Sequence, residues 1–176
     1  MNKSDLGKVI YDISNIKGEF ILRSGQVTTE YFDKYLFEVD PLILAEIAEH
    51  MINNLPQKFD QLAGLEMGGI PLATAISLKT GCPSLFVRKE AKQYGTCKIA
   101  EGGVIEGAEL VIIEDVVTSG GAILDAVQAL RSRGATVNHV CCVIDRESTG
   151  RNNLEKAGLT FTPLFTKSEL ESYAKL

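Results

Sequence analysis

From residue 61 to residue 145 the sequence alternates short, continuously apolar runs with longer amphipathic segments, and this alternation limits the fold more than any other feature. The predicted strands are QLAGL, SLFV, LVIIED and TVNHVCCVI, and the predicted helices are GGIPLATAISLKTG and GGAILDAVQALRSRG. Continuous apolar strands that alternate with helices are typical of a parallel sheet covered on both faces. We therefore expect an α/β fold with an open, mostly parallel sheet and helices on both faces.

Weaker patterns flank this central part. At the amino terminus Ser4 is predicted to cap a helix that Gly18 ends, and FILRSG and EYFDKYLFE resemble two short extended pieces. Asp40 and Pro41 are predicted to start a second helix that runs through Leu55. The predicted order ends with a helix over about 152–156, the strand LTFTPLF and the helix SELESYAKL.

Length, charge and composition limit the possible functions. At 176 residues the chain is long enough for one sizeable core, so we expect a single domain over residues 1–176. A formal net charge of -5 argues against general binding to nucleic acid, which depends on a surplus of Lys and Arg. No apolar run approaches the roughly 18 residues of a membrane span, and no secretion signal is recognisable. We therefore expect a cytoplasmic protein with free thiols and no membrane partner.

The segment LVIIEDVVTSGGA joins a predicted strand to a turn rich in hydroxyl groups and glycine. In open parallel sheets, ligands bind beyond the carboxyl ends of the strands, where helix N-termini also point. The glycines let the backbone approach a ligand and leave N–H groups free, so this turn is suited to an anion. Glu114 and Asp115 precede the turn, and carboxylates beside an anion site suit a ligand with both a phosphate and vicinal hydroxyls. A ribose phosphate is such a ligand.

VIIEDVVTSGGA resembles the binding signature of the type I phosphoribosyltransferases, which bind 5-phosphoribosyl 1-pyrophosphate (PRPP). The resemblance implies the fold of that family and implies that Glu114 and Asp115 meet the ribose hydroxyls. It assigns the rest of the PRPP-binding segment to Val116, Val117, Thr118, Ser119, Gly120, Gly121 and Ala122. Mg²⁺ is the implied cofactor, held through PRPP and water rather than by direct protein ligands, with Asp115 near it.

A basic segment, FVRKEAKQYGTCKIAEGG, follows the second predicted strand. Departing pyrophosphate carries several negative charges, so cations in a site closed to water favour its release. RKEAK resembles the loop of orotate phosphoribosyltransferases that reaches across a homodimer into the partner's site. The resemblance implies that Arg88, Lys89 and Lys92 contact pyrophosphate, and that Lys92, Arg88 and Asp115 are catalytic. Tyr94, where that family often has His, is placed among the PRPP-binding residues.

The segment IDRESTGR indicates which base is transferred. Its Arg146 can hold a carboxylate in a bidentate fork, and orotate carries a carboxylate whereas uracil and the purines do not. Thr118 stands where purine-salvage enzymes of the hypoxanthine-guanine type have Asp, and the resemblance therefore places Thr118 near orotate.

The amino-terminal FILRSGQVTTEYFDKYLF resembles the hood of orotate phosphoribosyltransferases, a small unit formed mainly by about residues 1–40. The resemblance implies that Arg23 binds PRPP and that Tyr31 and Phe32 lie near the orotate ring. Packing inside the hood is the alternative role for these two aromatic residues. In EMGGIPLA, which resembles the pyrophosphate loop of the family, Gly68 occupies a position where that loop sometimes has Lys.

The chain is thus expected to belong to the orotate phosphoribosyltransferases, which make orotidine 5'-phosphate and pyrophosphate from orotate and PRPP in pyrimidine nucleotide synthesis. Two alternatives remain: a phosphoribosyltransferase for another base, and a PRPP-sensing regulator without catalysis. Thr118 with Arg146 argues against the first alternative. The RKEAK segment and the acidic composition argue against the second.

Overall fold

A computed structural model describes residues 1–21, 25, 27–90 and 98–175. Its helices are α1 (Lys3–Ser14), α2 (Tyr35–Val39), α3 (Pro41–Ile52), α4 (Gly69–Thr80), α5 (Gly121–Arg131), α6 (Gly150–Lys156) and α7 (Lys167–Tyr173). Its strands are β1 (Asn15–Ile21), β2 (Val27–Phe32), β3 (Gln61–Leu65), β4 (Ser84–Val87), β5 (Ala100–Glu101), β6 (Glu109–Val117), β7 (Thr136–Asp145) and β8 (Thr160–Thr166).

The central sheet has the strand order β5-β4-β3-β6-β7-β8. The strands β4, β3, β6, β7 and β8 are parallel, and β5 pairs antiparallel with β4 at one edge. The open, mostly parallel sheet with helices is therefore confirmed. The short β5 lies inside the segment predicted as a long polar loop, because two residues leave no periodic pattern in a sequence.

Apolar side chains cover both faces of this sheet. One face packs against α1, α3, α4 and α7, with Ile10, Ile47 and Ile76 among its fully buried residues. The other face packs against α5 and α6 through side chains such as Val127 and Leu154. Strands buried on both faces explain the continuous apolar runs in the sequence.

The amino-terminal region forms a separate two-stranded antiparallel sheet, β1 with β2, which continues directly from α1. The predicted cap at Ser4 was wrong: the Asn2 side chain accepts a hydrogen bond from the Asp5 amide at 2.8 Å and caps α1. The predicted end at Gly18 was also wrong, since α1 ends at Ser14 and Gly18 lies within β1. Asn competes with Ser for capping positions, so two adjacent candidates were difficult to separate.

The hood also contains a helix where the sequence predicted an extended piece. Residues 35–39 form α2, which is too short to show helical periodicity. The next helix starts as predicted, because the Asp40 carboxylate accepts hydrogen bonds from the amides of Leu42 and Ile43. It ends at Ile52, three residues before the predicted Leu55.

Because the strands are parallel, the four segments that follow them lie together at the carboxyl-terminal end of the sheet. Glu66 follows β3, Arg88 follows β4, Thr118 follows β6 and Arg146 follows β7. The sequence predicted that a ligand binds beyond the carboxyl ends of the strands, and the topology confirms that these segments all lie at that end of the sheet. Within the described ranges, no helix has the length and apolar character needed to cross a membrane.

Two glycines, each the first residue of a helix, allow a test of the packing. An alanine Cβ at Gly69 would overlap the carbonyl oxygen of Ile113, whereas one at Gly121 would lie 3.7 Å from the Ser119 hydroxyl. We expect Gly69→Ala to lower the free energy of unfolding by about 2 kcal/mol because backbone must move. Gly121→Ala should change it by less than about 0.5 kcal/mol. Urea denaturation of both variants measures the difference, and equal effects would contradict the close packing at Gly69.

Candidate active site

A cleft of about 510 Å³ opens at the carboxyl edge of the sheet, and we call it the main cleft. Its volume lies within the range of about 300–1,000 Å³ that is usual for small-molecule sites. The charged residues of its wall are Lys34, Glu66, Arg88, Lys89, Glu114 and Asp125, and the start of α5 contributes Gly121 and Ala122. Three strand ends, one helix N-terminus and the hood therefore meet around one cavity.

The turn between β6 and α5 is held from behind by the segment after β7. Its Thr118 carbonyl accepts a hydrogen bond from the Gly150 amide at 2.9 Å, and its Ser119 carbonyl accepts one from Asn153 Nδ2 at 3.0 Å. Gly120 adopts a left-handed conformation with φ of 76°, which glycine accommodates without strain. With these carbonyls bound elsewhere, the exposed Thr118 and Ser119 and the N-terminus of α5 remain available to an anion.

The two acids of β6 have different surroundings, as neighbouring strand residues do. Glu114 lines the main cleft, whereas Asp115 is fully buried. Lys34 Nζ lies 2.5 Å from Asp115 Oδ2, and the Val116 amide donates to Asp115 Oδ1. Of the two predicted ribose contacts, Glu114 therefore lies on the cleft wall, and Asp115 is buried in contact with Lys34.

Glu38 and Gly68 complete the surroundings of Asp115. Glu38, on α2, is buried, and an added Cβ on Gly68 would lie 2.7 Å from Glu38 Oε1 and overlap Asp115 Oδ2. No side chain larger than hydrogen therefore fits at position 68 unless the Asp115 carboxylate moves. Neither Lys34 nor Glu38 was predicted from the sequence as a site residue, although a Glu within the apolar run YLFEV is a signal of a buried charge.

These contacts shift the pKa values of three carboxyl groups, those of Glu38, Glu114 and Asp115. Burial, together with the hydrogen bond and charge of Asp115, raises the pKa of Glu38 to about 8 and raises the pKa of Glu114. Burial also opposes ionisation of Asp115, but hydrogen bonds to Glu114 and Lys34 more than offset it and lower its pKa. The negative charge is thus concentrated on Asp115, next to the Lys34 ammonium.

The opposite wall carries the described part of the basic segment. The Arg88 amide donates to the Ile99 carbonyl at 2.8 Å, and Arg88 Nε lies 3.7 Å from Glu101 Oε1. The exposed Lys89 donates its amide to the Glu66 carboxylate. The predicted PRPP-binding residues Arg23, Lys92 and Tyr94 lie outside the described residues.

A second, smaller cleft of about 260 Å³ lies between the hood and the end of β7, and we call it the hood cleft. Arg146 and Phe32 both line it. Tyr31 is not among its lining residues, because adjacent residues of β2 face opposite ways. The Tyr31 ring instead packs against Phe20, with ring centroids 5.5 Å apart. The structure therefore brings together two of the four predicted orotate contacts, Arg146 and Phe32, whereas Tyr31 and Thr118 do not line this cleft.

The position of Arg146 depends on a buried aspartate that sequence reasoning missed. Asp145, the last residue of β7, accepts hydrogen bonds from the Glu147 amide at 2.9 Å and from Arg151 Nη2 at 3.2 Å. The Arg146 amide in turn donates to the Val117 carbonyl at 2.9 Å. The backbone of Arg146 is therefore anchored to the adjacent strand, and its exposed side chain extends into the hood cleft.

Comparison with known proteins agrees with this geometry. The family model of the phosphoribosyl transferase domain matches residues 40–165, a segment that contains the central sheet except for its last residue, Thr166. The chain is thus a member of the phosphoribosyltransferase class.

Two curated relatives and one solved structure define the family more narrowly. The orotate phosphoribosyltransferase of a Nocardioides species is 52% identical over 91% of this chain and 89% of its own length. That of Methanocella arvoryzae is 42% identical over 89% of each chain. A crystal structure of Mycobacterium tuberculosis H37Rv orotate phosphoribosyltransferase in complex with PRPP superimposes with a TM-score of 0.83, at 25% identity, covering 96% of this chain and 98% of that one. The chain belongs to the orotate phosphoribosyltransferase family.

The raised pKa of Glu38 predicts a pH-dependent stability. Because the folded state holds a proton that the unfolded chain releases near pH 4.5, this stabilisation is full below that pH and is lost as the pH rises through about 8. Glu38→Gln keeps a hydrogen-bond donor at all pH values. Its Tm should therefore fall less than that of the unaltered chain between pH 5 and pH 8.5, as measured by calorimetry.

The control for this measurement is Glu155→Gln, which removes an exposed carboxylate on α6. It should follow the unaltered chain at both pH values. Parallel curves for Glu38→Gln and the unaltered chain would show that Glu38 is ionised throughout.

Proposed function

We propose that this chain uses the main cleft to transfer the 5-phosphoribosyl group of PRPP to orotate, giving orotidine 5'-phosphate and pyrophosphate, a step of pyrimidine nucleotide synthesis. One observation carries the proposal: the N-terminus of α5, the Glu114 side chain and the cations of the opposite wall line the same cavity. PRPP carries a 5-phosphate, a ribose and a pyrophosphate group in this order. They would lie against the start of α5, Glu114 and the cations of the opposite wall, respectively. The family of the chain supports the same reaction.

The chain's own residues act mainly by position and charge. Pyrophosphate leaves C1 of the ribose as a nitrogen of orotate attacks, and the developing negative charge faces Arg88 and Lys89, with Lys92 assigned to the same role by resemblance. The attacking nitrogen of orotate loses its proton to the departing pyrophosphate or to water, so no strong general base from the chain is required. Holding the two substrates in line therefore supplies most of the rate enhancement.

The acids of the site suit Mg²⁺ that is bound through the substrate. Among the described residues, no three His, Cys, Asp or Glu side chains form a group that holds a metal, and Asp115 Oδ2 already contacts Lys34. Mg²⁺ commonly keeps several waters and binds substrate phosphates with one or two carboxylates. Glu114 on the cleft wall, with Asp115 behind it, fits this arrangement, in which Mg²⁺ would neutralise charge on the pyrophosphate group.

We also propose a homodimer in which Lys92 serves the partner's site. Four large apolar side chains of α2, α3, α4 and the turn before α4 are more than half exposed: Val39, Leu42, Met67 and Leu78. Since α3 and α4 pack side by side, these exposed apolar residues support an interface that includes both helices. The free thiols of Cys82, Cys141 and Cys142 support a reducing compartment, the cytoplasm.

An ultraviolet assay with PRPP and Mg²⁺ tests the reaction and its base. We expect consumption of orotate, and no reaction with uracil, hypoxanthine or adenine supplied separately. Arg146→Ala should raise the KM for orotate by about tenfold or more and leave the KM for PRPP within about twofold, because a charged pair with the carboxylate is lost.

The matched control is Arg133→Ala, which removes an exposed arginine just after α5, away from both clefts. It should leave both KM values unchanged. No loss of orotate at any enzyme concentration would refute the proposed reaction, and equal effects of Arg146→Ala on the two KM values would remove Arg146 from the base site.

Mixing two inactive variants tests the shared site. Ala122→Glu places a carboxylate in the anion-binding turn, and Lys92→Ala removes the assigned catalytic cation. In mixed dimers, one site combines an intact turn with an intact partner lysine, so about a quarter of the normal activity should return. If Lys92 serves its own subunit, mixing recovers no activity.

A further inference from the structure

The hood contributes a cation to the main cleft. Lys34 lies between β2 and α2, and its side chain is about one-third exposed, at 33%. The ammonium contacts the buried Asp115, and the side chain lines the cleft beside Glu114. Lys34 thus lies at the boundary between a fully buried carboxylate and the space in which a ligand would bind.

The charge of the cleft wall shows why this cation matters. The described residues of the wall contain three acidic side chains, of which Glu66 and Asp125 repel a polyanionic ligand, whereas the raised pKa of Glu114 disfavours its charged form. Arg88 and Lys89 offset this repulsion from the strand β4 side. Lys34 is the described cation of the wall that lies next to the acids of β6.

The contact with Asp115 orients Lys34 without using its full capacity. An ammonium has three N–H donors, and one contact with Asp115 leaves two for a ligand. Burial would lower the pKa of Lys34, but its interaction with Asp115 more than offsets this and raises the pKa. Lys34 therefore remains charged, and it is held in place before a ligand arrives.

The backbone at Gly68 makes room for this arrangement. Asp115 Oδ2 occupies the space where a side chain at position 68 would begin. Position 68 therefore cannot present a side chain toward Asp115 while the carboxylate stays in place. Among the described residues, Lys34 of the hood supplies the cation that pairs with Asp115.

We propose that Lys34 is a PRPP-binding residue: while held on Asp115, its ammonium donates a hydrogen bond to the pyrophosphate group of PRPP. This inference rests on the proposed function, which places the 5-phosphate at the turn before α5 and the pyrophosphate on the other side of the acids. The ammonium would then link the hood, the sheet and the substrate.

Binding measurements separate this role from a structural one. Lys34→Met should weaken PRPP binding about tenfold or more in calorimetric titration without orotate, since a charged hydrogen bond is lost. Ribose 5-phosphate has no pyrophosphate, and its affinity should change by less than about twofold. Lys34→Arg should restore most of the affinity for PRPP, and in steady-state assays Lys34→Met should raise the KM for PRPP but not that for orotate.

The matched control is Lys79→Met, which removes an equally exposed lysine paired with Glu49 at 2.9 Å outside the cleft. It should leave both affinities unchanged. If Lys34→Met does not fold because Asp115 is left unpaired, the double variant Lys34→Met with Asp115→Asn is compared with Asp115→Asn alone, and the same selective loss for PRPP is expected.

Two results would overturn the inference: an unchanged affinity for PRPP, or equal losses for PRPP and ribose 5-phosphate, which would mean that Lys34 acts only by orienting Asp115. Failure of the proposed function would look different. The unaltered chain would then bind PRPP no better than ribose 5-phosphate, or would bind PRPP without consuming orotate.

Discussion

Burial of the Asp115 carboxylate is the constraint on which the site depends. A carboxylate without access to water is strongly destabilising unless hydrogen bonds and an opposite charge surround it. Here the Val116 amide donates to one carboxylate oxygen, the Lys34 ammonium forms an ion pair with the other, and Gly68 leaves room for them. These partners come from the strand β6, the hood and the turn before α4. One buried charge therefore fixes the mutual position of three separate parts of the chain.

The neighbouring strand β7 also carries a buried aspartate, Asp145, near its carboxyl end. Val117 of β6 is in register with Asp145 of β7, which is also buried and also paired with a basic side chain, that of Arg151. Asp145 shapes the segment that supports both the anion-binding turn and Arg146. Adjacent strands thus each carry a buried aspartate near the edge of the sheet, one behind the proposed ribose site and one behind the proposed base site. Rigid support behind exposed ligand contacts is what positioning catalysis requires.

Local patterns were sufficient to predict most of the sheet and the turn between β6 and α5. Continuous apolar runs, the cap at Asp40 and the glycines of TSGGA are features of adjacent residues, and the structure confirms the elements that they predict. The short α2 and β5 were missed because so few residues carry no period. Lys34 and Glu38 were missed for a different reason: their partner, Asp115, is distant in the sequence, and only the tertiary fold brings a lysine and two carboxyl groups together. The separation of Tyr31 from Phe32 follows from strand geometry, and it was already implied by the prediction that EYFDKYLFE is extended.

The missing side chain at position 68 restricts how this family can vary. Any larger residue there would push the Asp115 carboxylate aside and break its contact with Lys34. Asp115 needs a cation beside it. A lysine at position 68 and a lysine at position 34 that contacts Asp115 are therefore two ways to supply this cation that exclude each other. A lineage that moved its cation from one element to the other would have to change both positions together, since either change alone leaves a buried charge unpaired or a side chain without space.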